Sequence, residues 1–211
     1  MADEKSPAGD RAYRHTKELI LSGALAGGQL TSEGEIAQDL SISRTPVREA
    51  FLRLEAEQLL RLVPKRGAVV VPVSPTELED VLDLREALET AAVRRLVGRE
   101  ELMTAATEGW TRALAEQTRC AAAKDPDGFA VADDAFHTNF VEASGNALAI
   151  RFYRSLAERQ RRMSLHVTRP RANRLDELLV EHRALADHVE RRDPDGFARA
   201  LADHLDRHHR S

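Results

Sequence analysis

Asp133, His137, His182 and His204 are the residues of this 211-residue chain whose placement asks for chemistry. Each falls on the apolar stripe of a predicted helix, where ionisable side chains are normally excluded. In the helix opening at Asp125 the stripe reads Phe129, Phe136 and Phe140. Asp133 and His137 lie on or beside it, four residues apart, so their side chains converge. His182 stands in the middle of Leu175, Leu178, Leu179, Leu185, Ala186 and Val189, and His204 lies with Phe197, Ala200 and Leu201. Buried carboxylates and imidazoles are costly unless satisfied. Either each of the four has its own hydrogen bond, or all four share one divalent cation. One carboxylate and three imidazoles suit Zn2+ first, with Ni2+, Mn2+ or Fe2+ as alternatives. His15, His166, His188 and His209 lack this pattern; His208, one turn past His204, is the one plausible substitute ligand.

Two arginines add a possible anion site. Arg85 lies on the stripe of Leu78, Val81, Leu82, Leu88 and Ala92. It either pairs with Glu89 one turn on, or faces a cavity as a carboxylate receptor. Arg159 has the same character beside Phe152, Leu156 and Met163. Both are therefore candidate effector-binding residues. No H-E-x-x-H, nucleophile motif or general base accompanies them, which argues against an enzyme.

A second chemistry lies upstream. Residues 32–73 parse as a helix, a tight turn, a second helix opening on Ser43-Arg44-Thr45-Pro46-Val47-Arg48, and a hairpin with Lys65-Arg66-Gly67 at its tip. That is the layout of a winged helix-turn-helix, which places one helix in the major groove of DNA. The net charge is −4, yet Arg44, Arg48, Arg53, Arg61, Lys65 and Arg66 are concentrated in this segment. The acidic excess belongs to the remainder.

The elements that must position these residues follow from caps and periodicity. Residues 1–9 are expected to be disordered, 10–73 to form the winged helix-turn-helix domain, and 74–211 an all-helical domain. A first helix is predicted from Asp10 to Ser22. Ser32 with Glu35, and Ser74 with Glu77, read as capping boxes. Ser43 is predicted to cap the helix whose inner face is Val47, Ala50, Phe51, Leu54 and Gln58. The wing strands are predicted at Leu60–Val63 and Ala68–Val71. Six helices are predicted beyond, at about 75–97, 101–123, 126–143, 146–168, 174–191 and 194–209. The hexapeptide DPDGFA opens two of them, at 125–130 and 193–198. The fold class is thus mainly α, with an antiparallel six-helix bundle as its second domain. A composition of 42% hydrophobic, 31% charged and 4% aromatic residues fits helices packed through Leu and Ala. Cys120 is the only cysteine, which excludes a disulfide framework. No apolar run is long enough to span a bilayer, and the polar N-terminus does not resemble a signal peptide. A soluble, cytoplasmic protein is expected.

The motifs resemble the GntR family of bacterial transcription regulators, in its FadR-type subgroup with an FCD effector domain. The resemblance covers about residues 11–209. It rests on S-R-T-P-V-R-E-A at Ser43–Ala50, the following L-x-x-E-x-L, and a wing containing R-G. In the second half it rests on D-x-x-F-H at Asp133–His137, A-x-G-N at Ala143–Asn146, E-H-R-A-L at Glu181–Leu185, and the late His204. With six C-terminal helices the chain is similar to the shorter subtype.

The resemblance implies DNA contacts from Ser43, Arg44, Thr45 and Arg48 on the recognition helix and from Arg66 and Gly67 on the wing. It implies Asp133, His137, His182 and His204 as metal ligands. It also implies a cytoplasmic homodimer, in most of the family a repressor, that binds a palindromic operator and senses a small carboxylate. A metal-dependent enzyme domain fused to a DNA-binding domain, or a purely structural metal, are the competing readings. The chain departs from the pattern at Gly34, where many relatives carry a long polar side chain, and at Leu52, apolar on a face where charge is common.

Overall fold

The computed structural model describes residues 7–169 and 172–207. Of the nine residues expected to be disordered, 1–6 lie outside that range, as do His208 and His209. The chain divides into two compact units, Met1–Val73 and Ser74–Ser211.

The first unit contains α1 (Ala8–Leu21), β1 (Leu30–Thr31), α2 (Glu33–Asp39), α3 (Arg44–Ala56), β2 (Leu60–Val63) and β3 (Gly67–Val70). α1 starts two residues before the predicted position. α2 begins at a complete capping box: Glu35 N–H donates to Ser32 Oγ, and Ser32 N–H donates to Glu35 Oε2. Ser43 precedes α3 without a side-chain cap, contrary to expectation. Val47, Ala50, Phe51 and Leu54 are buried as predicted, and they anchor the core with Ile20, Ile36, Leu60 and Val70. Gln58 is not part of that face: α3 ends at Ala56, and Gln58 turns the chain outward with φ +60.

The sheet has three antiparallel strands in the order β1-β3-β2. β1 is two residues long and carries no period-2 signal, so the sequence does not announce it. The wing turn runs Val63-Pro64-Lys65-Arg66, closed by Arg66 N–H donating to Val63 O at 3.0 Å. Proline as the second turn residue followed by Lys65 at φ +62 is the type II pattern. Gly67, at φ +101, is a position that only glycine fills: a Cβ there would lie 2.2 Å from Thr31 O.

The second unit holds six helices among the described residues: α4 (Pro75–Val97), α5 (Glu100–Ala123), α6 (Pro126–Ala143), α7 (Ala147–Thr168), α8 (Leu175–Glu190) and α9 (Pro194–Leu205). Ser74 caps α4 by accepting from Glu77 N–H, but the reciprocal half of the box is missing, since the Glu77 carboxylate accepts from Arg159 instead. The two DPDGFA segments are one device used twice. Asp125 accepts from Gly128 N–H at 2.9 Å and Asp193 from Gly196 N–H at 2.8 Å, each followed by Pro in the first turn. Each cap is followed by a fully buried phenylalanine, Phe129 or Phe197. α6 is central, packed against α4, α5 and α7, while α8 packs on α5 and α9, and α9 on α4. Phe129, Phe136, Phe140, Trp110 and Phe197 fill the interior, each contributing about 1.5–3 kcal/mol by burial. Among the described residues no helix is long and apolar enough to cross a membrane.

Candidate functional site

Three helices deliver the four ionisable side chains to one place. α6 supplies Asp133 and His137, α8 supplies His182, and α9 supplies His204; all four are buried, and one ligand atom from each lies within 4.8 Å of the others. Phe136 packs edge-on to His137 with ring centroids 5.2 Å apart, and lies 4.9 Å from His182. Phe129 stacks on His182 at 6.2 Å. These rings wall the cluster off from water.

Each imidazole is oriented by an acceptor on its Nδ1. His137 Nδ1 donates to Glu89 Oε2 at 2.7 Å. His182 Nδ1 donates to Gln117 Oε1 at 2.8 Å, and Gln117 is itself fixed because its Nε2 donates to Ala132 O at 3.3 Å. His204 Nδ1 donates to Glu181 Oε2 at 2.8 Å, and Arg207 binds the same carboxylate. With Nδ1 protonated, a neutral imidazole presents a lone pair on Nε2. The Nε2 atoms of His137 and His182 have no hydrogen-bond partner. His182 Nε2 faces Asp133 Oδ1 at 3.2 Å, and His137 Nε2 faces it at 3.8 Å. Two acceptors in that arrangement repel unless a cation lies between them.

A second proton on His182 or His204 does not resolve this. Burial pushes His182 down from its ordinary value, and it pushes His204 down to about 3, so both are held neutral. Burial alone would lift Asp133, but its neighbours His182, His137 and Arg85 more than offset that and hold the carboxyl well below the usual range. Ser164 Oγ donates to Asp133 Oδ2 at 2.8 Å, leaving Oδ1 for the cluster. Three imidazoles, each with an outer hydrogen bond on Nδ1, and one ionised carboxylate fit a divalent cation.

Arg85 is 2% exposed, and its Nε donates to Glu89 Oε1 at 3.1 Å. Its two terminal nitrogens make no hydrogen bond among the described residues. Both expected roles are therefore compatible: the pair with Glu89 exists, and the guanidinium fork remains available. Arg159 is different. Its side chain is 42% exposed and its Nε donates to Glu77 Oε1 at 2.8 Å. Of the predicted α7 stripe, Met163 is buried and Leu156 half-buried, but Phe152 does not belong to it. Phe152 is 62% exposed, whereas Tyr153, Gln160 and Ser164 face inward. Arg159 accordingly leaves the candidate effector site.

Gln117, Tyr153 and Ser164 were not singled out from the sequence, which points to Glu89 and Glu181 only as a partner for Arg85 and as part of a motif, not as partners of the imidazoles. A signal was present for two of them. Glu89 lies on the α4 stripe one turn after Arg85, and Gln117 interrupts a stripe of Ala113, Cys120 and Ala121.

In the first unit, Ser43, Arg44, Thr45 and Arg48 are exposed along α3, and Arg66 is exposed at the wing. Arg44, Arg48, Lys65 and Arg66 make no ion pair among the described residues. Arg53 differs: it pairs with Asp10 at 2.7 Å and lies 4.0 Å over the Tyr13 ring, tying α3 to α1. Gly34 lies beside Arg44, with a built Cβ 3.4 Å from the guanidinium Nη2, so the absence of a side chain there leaves room for Arg44.

Residues 80–207 match the FCD domain, and residues 8–70 match the bacterial regulatory proteins of the gntR family. The chain is 29% identical over 203 residues to the HTH-type transcriptional repressor RspR of Escherichia coli K12, covering 94% of this chain and 86% of that protein. It is 31% identical over 139 residues to the gluconate operon transcriptional repressor of Bacillus subtilis, covering 66% and 56% respectively. A solved structure of a GntR transcriptional regulator from Rhodococcus sp. RHA1 superposes with a TM-score of 0.76 at 22% identity, covering 94% of each chain.

Proposed function

The chain belongs to the GntR family of DNA-binding transcriptional regulators, in the subgroup with an FCD C-terminal domain, and from that premise we propose a metal-dependent sensor of a small carboxylate. It acts as a homodimer that represses transcription from a palindromic operator. The observation that carries the reading is the set of inward-facing imidazole nitrogens around Asp133, next to an arginine whose fork is unused.

Asp133, His137, His182 and His204 would hold the cation, most readily Zn2+. Bound there, the cation supplies a Lewis-acidic centre for an anionic oxygen. The chain's own residues do the rest. Glu89, Gln117 and Glu181 fix the imidazole tautomers, the phenylalanines exclude water, and Arg85 pairs with the effector's carboxylate. Two relatives are repressors by name, and one of them governs a gluconate operon. That supports repression and a sugar-acid or similar carboxylate as the signal. Ser43, Arg44, Thr45 and Arg48 would enter the major groove while Arg66 and Gly67 steady the wing.

Coupling requires the effector to prefer one arrangement of the dimer over the other. A typical coupling of about 1–3 kcal/mol changes operator affinity roughly 5–150-fold. The test is an operator selected from random DNA, titrated with zinc-loaded and chelator-treated protein, with and without D-gluconate or lactate. A carboxylate should weaken operator binding only in the zinc-loaded form, and Arg85→Lys should blunt its effect. Indifference of operator affinity to zinc and to every carboxylate would leave a structural metal as the better reading.

A further inference from the structure

Leu52 is 51% exposed, on a helix whose other exposed residues are polar or small. A lone exposed leucine needs no explanation in itself, but the position of this one does. Successive helical residues turn by about 100°, so Thr45 and Leu52, seven apart, point within about 20° of each other. Arg48 and Glu49 flank the line between them. The opposite face, Val47, Ala50, Phe51 and Leu54, is fully buried. Leu52 therefore marks the centre of the outward face, about two turns in from the start of α3.

The side chains around this face divide by what holds them. Arg53 pairs with Asp10, Glu55 accepts from Leu62 N–H at 2.8 Å, and Glu57 accepts from Tyr13 and Lys17. Those three tie α3 and its end to α1 and β2. Thr45, Arg48 and Glu49 make no side-chain hydrogen bond or ion pair among the described residues. Together with Leu52 they have the spacing i, i+3, i+4 and i+7. That is the spacing by which the reading helix of a homeodomain presents side chains to the major groove.

Every base pair offers donors or acceptors in the major groove, but only thymine offers an apolar group there, its 5-methyl. Arg48 suits guanine, and Glu49 can accept from cytosine. Leu52 has neither donor nor acceptor. Set against any other base edge, or against phosphate, it strips water from polar atoms and returns no bond. We propose that Leu52 is a specificity-determining residue of α3, packing on a thymine methyl in each operator half-site. The unpaired Arg44, Arg48, Lys65 and Arg66 supply the charge that brings this face to DNA. That role presupposes α3 as the recognition helix and adds the base that it selects.

The experiment is fluorescence anisotropy of the full chain on an operator selected from random DNA, with each thymine in turn replaced by uracil. Uracil pairs as thymine does and lacks only the methyl. At one position in each half-site the swap should weaken wild-type binding about fourfold, the worth of one buried methyl group. In Leu52→Ala the same swap should cost less than about 1.5-fold. Leu52→Ala should melt with the wild type, because an exposed leucine carries little of the core. Repeating the selection with Leu52→Gln, whose amide matches adenine, should move the preference at that base pair and at no other. The inference is overturned by a uracil penalty of the same size in Leu52→Ala, by an operator in which no thymine methyl matters, or by an unchanged preference in Leu52→Gln. A lowered melting temperature in Leu52→Ala marks a structural role, and loss of self-association in sedimentation assigns the face to a second copy; either result overturns it too. If operator binding is indifferent to both Arg44→Ala and Arg48→Ala, α3 is not the recognition helix and this inference falls with that reading. If those variants weaken binding while the uracil effect ignores Leu52, the inference falls alone.

Discussion

His137 and Glu89 are joined by a 2.7 Å hydrogen bond that connects the candidate metal centre to the candidate anion site. The other oxygen of the same carboxylate accepts from Arg85 Nε and from Tyr153 OH. Glu89 thus fixes a cation ligand and an anion receptor at once. Burial alone would raise its carboxyl, but His137, Arg85 and Tyr153 together bring it down to about 2, so it remains ionised.

Glu89→Gln is therefore expected to weaken metal binding by about 10–100-fold, the usual effect of losing a ligand's outer hydrogen-bond partner. Glu89→Ala should additionally destabilise the fold by about 3–5 kcal/mol, because it strands a buried guanidinium. Competition titration against a zinc chelator and urea unfolding read the two effects. Unchanged zinc affinity in Glu89→Gln would mean that His137 does not depend on Glu89 for its orientation.

Removing the metal should expose a pH dependence with a definite sign. His204 is held neutral in the fold, its value pushed down by burial to about 3, and His182 is lowered for the same reason. In the unfolded chain a histidine takes its proton near pH 6.5. Below that pH the unfolded state binds protons that the folded state refuses, so stability falls as the pH drops. The loss for His204 alone runs at about 1.4 kcal/mol per pH unit, or roughly 2 kcal/mol between pH 7 and pH 5. Urea unfolding of the chelator-treated chain at pH 7, 6 and 5 measures this. A flat profile across that range would contradict the buried neutral imidazoles.

The sequence was most legible where one helix carries its own signal. Asp133 and His137 show their convergence by spacing within α6, and His182 and His204 interrupt otherwise apolar stripes. Pro126 and Pro194 behind Asp caps mark helix starts without any knowledge of the tertiary fold. What stayed hidden depends on contacts distant in sequence. The partners of His137 and His182 lie 48 and 65 residues away, and nothing local ties Gln117 to His182. Arg159 was misplaced because α7 carries large apolar residues on two faces, Phe152 outside and Tyr153 inside, so its phase is ambiguous from pattern alone. β1 escaped notice because two residues are too few for alternation to register.

Specific DNA binding should depend on the unpaired cations of α3 and the wing. If Arg48 contacts a base edge, Arg48→Ala should cost about 1–3 kcal/mol on a selected operator. If Lys65 and Arg66 contact phosphates, replacing either with Ala should weaken binding to all sequences alike and lower the salt slope by about one. Fluorescence anisotropy across a salt series distinguishes the two behaviours. Operator binding indifferent to both Arg44→Ala and Arg48→Ala would remove α3 as the reading helix.

Gly67 is where the wing's geometry is most exposed to test. Its φ of +101 is one that side chains rarely adopt, and a Cβ would sit 2.2 Å from the backbone oxygen of Thr31. Thr31 belongs to β1, and β1 pairs directly with β3, which starts at Gly67. Gly67→Ala must therefore push β1 and the wing apart as well as strain the turn. A strained backbone position costs of the order of 1–3 kcal/mol, and the displaced pairing adds to that. Melting of an isolated Met1–Val73 fragment is not required, because the full chain carries a control: Gly145 has φ +64 with nothing within 4 Å of a built Cβ. Gly145→Ala should show backbone strain alone, whereas Gly67→Ala should show a larger stability loss and weaker operator binding at equal metal content. Equal effects of the two substitutions would mean that the close approach of Gly67 to Thr31 does not hold the wing in place.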